Sequence, residues 1–134
     1  MRITKWGEYG IICCLYLARN AKRPAVGAAE ISKENVIPLQ YTHQILQRLR
    51  KGKIIKSSRG PQGGYSLSRS ADQINLKEIL LAVEGGTFDV ICEVNHNCPR
   101  REANCQLSPI WRELKREVDT LLEGKTLAGM LEDN

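Results

Sequence analysis

The residues best placed to do chemistry are three cysteines, Cys92, Cys98 and Cys105, in the segment GGTFDVICEVNHNCPRREANCQLSP. They follow the spacing C-x5-C-x6-C, and the segment around them has little hydrophobic periodicity and two chain-bending prolines, so it reads as one loop. Three thiols in one loop of a chain with cytosolic character point to metal binding or redox chemistry rather than structural disulfides. Structural zinc usually takes cysteine pairs two to four residues apart. Wider spacing can wrap a larger inorganic core such as an iron-sulfur cluster, whose irons prefer thiolates. The loop holds no fourth cysteine; His96 is the ligand available within it. Cys92, His96, Cys98 and Cys105 also form a possible zinc set. A thiol redox enzyme using the same cysteines is a third reading, weakened because no C-x-x-C pair and no recognisable substrate site accompany them.

The remaining two cysteines, Cys13 and Cys14, fall in the middle of a helix expected from Thr4 to Asn20. Adjacent helical positions point in different directions, so the pair cannot easily chelate one ion. Both read as small buried hydrophobes. Trp6, Tyr9, Gly10, Cys13, Tyr16 and Leu17 recur on one face of that helix, and Thr4 is a plausible cap. Glu8 lies one turn in, off the apolar face, where position alone makes it an exposed carboxylate.

The elements that would connect such a loop to a biological output lie between Val36 and Ala71. This stretch holds Arg48, Arg50, Lys51, Lys53, Lys56, Arg59 and Arg69 and no Asp or Glu, in a chain of net charge +5. A short helix from Val26 to Lys33 precedes it, and a second helix should begin near Pro38. Ile45, Leu46 and Leu49 of that helix face a core, which turns Gln40, His43, Gln44, Gln47 and Lys51 outward. Long side chains with hydrogen-bonding tips suit base edges in the major groove. Two strands follow, joined by Arg59-Gly-Pro-Gln-Gly63-Gly64, whose glycines let the backbone approach a phosphate. Arg59 is placed to enter a narrow minor groove. Helix, turn, helix, strand, basic turn, strand is the order of a winged helix-turn-helix, a DNA-binding unit.

After the wing, Asn75 and Glu78 read as a capping box ahead of Leu76, Ile79, Leu80 and Val83, with a stop at Gly85-Gly86. A long helix is expected from Pro109, with Trp111, Leu114, Val118, Leu121 and Leu122 in an apolar stripe suited to pairing with a second copy. A short closing helix is expected over Lys125 to Leu131. The fold class is therefore mainly α with a small β wing, a winged helix-turn-helix plus a long C-terminal dimerisation helix. The divisions are 1–84 for DNA binding, 85–108 for the cysteine loop and 109–134 for the dimerisation helix and tail. The 134 residues fit one domain with an appended helix, and a sequence pI of about 9.1 suits a polyanion partner. Arg2 and Lys5 precede an apolar run from Tyr9 to Ala18, but it is too short to span a bilayer and no small-residue cleavage site follows. A cytoplasmic protein without membrane or small-molecule substrate is expected.

The opening MRITKWGEYGIICCLYLA, the stretch LRKGKIIKSSRGPQGGYSL, the helix NLKEILLAVEG, the three-cysteine loop and the C-terminal helix headed by Trp111 together resemble the bacterial Rrf2 family. These are winged-helix transcription regulators, and the IscR-like and NsrR-like members bind iron-sulfur clusters. The resemblance covers almost the whole chain. It implies a homodimer in which long C-terminal helices cross and each winged helix reads half of a pseudo-palindromic operator. It further implies a 2Fe-2S or 4Fe-4S cluster on Cys92, Cys98 and Cys105, with operator affinity controlled by the cluster's redox or nitric-oxide chemistry. IscR-like members take a fourth ligand from a histidine soon after the third cysteine, whereas Gln106-Leu107-Ser108 offers none here. NsrR-like members use an acidic residue of the first helix from the other subunit, and Glu8 falls at that position. The DNA contacts implied are Gln40, His43, Gln44 and Arg59, with Tyr41 and Arg48 as phosphate contacts or packing residues. A zinc-bound or metal-free winged-helix regulator is the alternative.

Overall fold

The computed structural model describes residues 2–89, 98–100 and 105–133. Helix α1 spans Lys5–Arg19, and the Thr4 side chain caps it by accepting from the Trp6 amide at 3.2 Å. Helices α2 (Ala28–Asn35) and α3 (Leu39–Lys51) form the helix-turn-helix. The sequence places the second helix two residues too early, because Val26 has another task. Its N–H and C=O pair with the C=O and N–H of Tyr65, both at 2.8 Å, an isolated bridge that ties this segment to the wing. The helix starts only after those groups are used.

The turn between α2 and α3 is closed by Val36 in the left-handed region at φ 55°, and Pro38 stands as the residue before α3 rather than inside it. Ile45, Leu46 and Leu49 are fully buried, and Gln40, His43, Gln44, Gln47 and Lys51 are exposed, so the facing expected from periodicity holds residue by residue. Strands β1 (Ile55–Ser58) and β2 (Gly64–Leu67) pair antiparallel, with Ile55 opposite Leu67 and Ser58 opposite Gly64. A single 3-10 turn, Ala71–Gln73, leads into α4 (Leu76–Glu84). The capping box is present: the Asn75 side chain accepts from the Glu78 amide, and the Glu78 carboxylate accepts from the Asn75 amide. Gly85 ends α4 at φ 82°, where a residue without a β-carbon is favoured.

Helix α5 spans Leu107–Glu123 and takes Pro109 into its first turn, where a missing amide costs nothing. Helix α6 (Leu127–Glu132) returns to the winged helix: the Leu76 amide donates to the Lys125 carbonyl and the Leu127 amide to the Ile74 carbonyl, both at 2.9 Å. Leu127 is wholly buried in the core with Cys13, Cys14, Leu17, Ile31, Ile74, Ile79 and Val83. The core thus sits between α1, α3, α4 and α6. No residue of α5 is buried, and Leu107, Ile110, Leu114 and Leu121 are exposed along it. No helix among the described residues is long and apolar enough to cross a membrane.

Candidate nucleic-acid interface and cysteine loop

The outward face of α3 carries Gln40, His43, Gln44, Gln47 and Lys51 into solvent. What holds this face in place is a cluster at its back. The Tyr41 ring meets Trp6 edge-on at 5.6 Å and lies 6.4 Å from Tyr9. The Arg48 guanidinium stacks 4.2 Å over Trp6 and donates to the Val83 carbonyl at 2.7 Å. Of the two roles the sequence left open for Tyr41 and Arg48, these contacts are packing contacts. Thr42, the buried polar residue of α3, donates its hydroxyl to the Pro38 carbonyl at 3.2 Å.

Two close approaches shape the wing. A β-carbon at Gly63 would lie 2.4 Å from the Ser58 carbonyl oxygen, and one at Gly64 would lie 2.5 Å from that of Val26. Both obstacles are backbone atoms, which cannot rotate away. The glycines therefore close the hairpin and seat it on the Val26 bridge. Arg59 projects from the turn, exposed and without a hydrogen-bond or ion-pair partner among the described residues. Arg69, by contrast, is tied to Glu78 and to the carbonyls of Lys53 and Gln73, so it serves the fold, as Arg48 does.

Cys98 and Cys105 are free thiols of intermediate burial, on either side of 101–104. Cys92 and His96 lie outside the described residues. Among the described residues no three His, Cys, Asp or Glu side chains converge as a metal site. Glu8 is exposed on the first turn of α1, as position alone suggested; its amide donates to the Thr4 carbonyl at 3.1 Å, and its carboxylate has no hydrogen-bond or ion-pair partner among the described residues. Cys13 and Cys14 are fully buried, and burial pushes the Cys13 thiol up to about 12 and the Cys14 thiol higher still. They are inert core residues.

The root of the cysteine loop is anchored at points that sequence reading missed. Glu84, at the end of α4, accepts from the Thr4 amide (3.0 Å), the Thr4 hydroxyl (2.5 Å) and the Gly7 amide (2.8 Å). Partial burial opposes its charge, but these bonds and the nearby Arg48 outweigh it and hold the carboxyl below its usual range. Beyond Gly85, the Thr87 hydroxyl donates to Asp119 at 2.7 Å and the Lys115 ammonium to the Phe88 carbonyl at 3.1 Å. Lys77 adds an ion pair with Glu123 at 2.8 Å. Thr87 and Asp119 are 32 positions apart, a separation at which composition and periodicity carry no signal.

A helix-turn-helix with a glycine-seated wing, a polar recognition face and an appended helix defines a winged-helix DNA-binding protein. The family Rrf2, "Iron-dependent Transcriptional regulator", matches residues 3–133, and the chain belongs to it. It is 34% identical over 131 residues to the transcriptional regulator IscR of Sodalis glossinidius, covering 98% of this chain and 79% of that protein. Among solved structures it resembles T. potens IscR, with a TM-score of 0.76 and 27% identity over 99% of this chain and 88% of that one. It also resembles CymR, the global cysteine regulator of B. subtilis, with a TM-score of 0.79 and 25% identity over 100% and 98%. The protein is thus a DNA-binding transcriptional regulator, not an enzyme, and the thiol-enzyme reading is set aside.

Proposed function

We propose that the protein binds a pseudo-palindromic operator as a homodimer and that the state of the loop carrying Cys92, Cys98 and Cys105 controls its affinity. Gln40, His43 and Gln44 meet base edges, Lys51 a phosphate, and Arg59 the minor groove beside the wing, while Gly63 and Gly64 allow the wing backbone close to the DNA. Tyr41 and Arg48 hold the recognition helix from behind. Dimerisation is supported by α5, whose Leu114 and Leu121 are exposed and whose Trp111, Val118 and Leu122 are only partly covered. Fully burying one such side chain is worth roughly 1.5–3 kcal/mol, so a stripe of five favours a second copy. The chain then divides as read from sequence, 1–84, 85–108 and 109–134, with α6 packed back onto the first unit.

The observation that carries the sensor is the free, half-buried state of Cys98 and Cys105 just ahead of α5, in contrast with the sealed Cys13 and Cys14. Thiols are the donors that iron-sulfur clusters take, so this set fits one, with Glu8 of the second subunit as a fourth, oxygen ligand. A 2Fe-2S or 4Fe-4S cluster would supply bonds sensitive to oxidation and nitric oxide. Cys98 and Cys105 would hold it with Cys92, the bonds of Glu84, Thr87 and Phe88 would fix the loop's root, and the exposed Glu8 carboxylate would be the ligand most readily released, because oxygen binds such irons less firmly than thiolate. A metal-free thiol-based regulator is the second reading, favoured by the likeness to the B. subtilis cysteine regulator. Visible absorption of anaerobically purified protein, with iron and acid-labile sulfide measured on the same sample, separates them. Brown protein with matching iron and sulfide supports the cluster; colourless protein that fails reconstitution supports the thiol reading, and zinc content would move the assignment to a zinc site.

A further inference from the structure

The last turn of α4 touches both elements that matter for switching. Val83 receives the Arg48 hydrogen bond from the recognition helix through its carbonyl, and its side chain packs on Gly10 of α1, where a β-carbon would lie only 2.9 Å from Val83 Cγ1. Glu84, the next residue, ties down the N-terminus of α1 through Thr4 and Gly7, one residue before Glu8. Gly85 then ends the helix and opens the cysteine loop. Trp6 completes the circuit, with Arg48 on its face and Tyr41 at its edge.

We propose that Arg48 and Glu84 are positioning residues that form a relay, in which the Val83–Glu84 turn carries the state of the cysteine loop to the recognition helix and to the Glu8 end of α1. The proposal rests on the loop being the sensor, but its geometry does not depend on which group the loop binds. A C=O in the final turn of a helix has no partner within its own helix. Arg48 supplies one for Val83, so any change that unwinds or rotates this turn withdraws an acceptor from α3. The same movement pulls the Glu84 carboxylate from three donors at the start of α1. Because α1 and α4 are in contact at glycines, the interface has no slack to absorb a rotation. Two rigid helices are therefore connected to one turn by directional bonds.

The test compares cluster-free chains whose loop thiols, Cys92, Cys98 and Cys105, are either free or alkylated with iodoacetamide; the sealed Cys13 and Cys14 do not react. Amide hydrogen exchange is followed across 39–51 and at Gly7, and operator affinity is measured in parallel. In the wild type, exchange at both places changes with the loop's state by roughly fivefold or more, the low end of couplings between sites. In Arg48→Met, which keeps the aliphatic stem and helix propensity, the response across 39–51 is lost while that at Gly7 persists; Glu84→Gln shows the converse. Arg48→Lys restores little, since an ammonium cannot both stack flat on Trp6 and reach Val83. Wild-type exchange that ignores the loop's state, or responses equal in all variants, overturns the relay. If exchange responds while operator affinity does not, the relay stands and the sensor reading falls.

Discussion

Gly10 of α1 and Val83 of α4 are in direct contact, with room between them for no further atom: a β-carbon on Gly10 would meet both Val83 methyl groups, at 2.9 and 3.1 Å. Val83 is 1% exposed and cannot yield. Gly10→Ala gains about 1 kcal/mol of helix propensity but overpacks this contact at a cost of typically 1–3 kcal/mol. A net loss of about 1 kcal/mol is expected in urea unfolding, together with weaker protection of the Arg48–Val83 bond. An unchanged or raised midpoint would mean that the two helices separate freely.

Glu30 bridges Tyr16 and Arg23, accepting the tyrosine hydroxyl at 2.5 Å and the guanidinium through both oxygens at 2.7 and 2.8 Å. The Arg23 guanidinium, then the Tyr16 hydroxyl, holds its carboxyl at about 2, below the ordinary value of 4.5. A depressed folded-state value stabilises the fold above the unfolded value and loses that contribution as pH falls through the folded one. The stability difference between the wild type and Glu30→Gln should therefore be constant from about pH 5 until Tyr16 begins to ionise, and shrink from pH 4.5 toward 2. Melting curves across that range check it, and a difference that grows on acidification would be the wrong sign.

Thiol reactivity should divide the five cysteines into two sets. Metal-free native protein treated with a chromogenic disulfide reagent should show three fast thiols, Cys92, Cys98 and Cys105, and two that react only on unfolding, since a buried thiol has little thiolate to offer. Fast labelling of Cys13 or Cys14, located by peptide mapping, would show that the core between α1 and α4 opens.

On the DNA side, base-reading and phosphate-binding residues should separate by salt dependence. Gln44→Ala and His43→Ala should cost roughly 1–3 kcal/mol on the operator and relax discrimination at single base pairs. Lys51→Ala should weaken all sequences alike and reduce the salt slope by about one. Affinity titrations at several salt concentrations distinguish these. A changed salt slope for Gln44→Ala would remove it from the base-reading set.

Local chemistry made much of this fold legible. The face of α3, the Asn75–Glu78 box, the stop at Gly85 and the buried role of Cys13 and Cys14 all depend on neighbours a few residues away, and sequence carries those directly. Errors arose where a distant partner overrode local preference. Val26 reads as helix until Tyr65 takes its backbone groups. The support of the site was not legible at all: Glu84 reaches Thr4 across 80 positions, and Arg48 reaches Val83 across 35. Arg48 reads from sequence as either a phosphate contact or a packing residue, and the carbonyl it packs on lies too far along the chain to be read there.

The most direct test of control by the cysteine loop is the operator affinity of one anaerobic preparation before and after treatment that strips the proposed cluster, with the treated protein shown by circular dichroism to remain folded. The two affinities are expected to differ by roughly 5- to 150-fold, the usual range for coupled sites, and the difference to vanish in Cys98→Ala. Equal affinities, or a difference that survives in Cys98→Ala, would contradict control by the loop and leave a winged-helix regulator controlled from elsewhere.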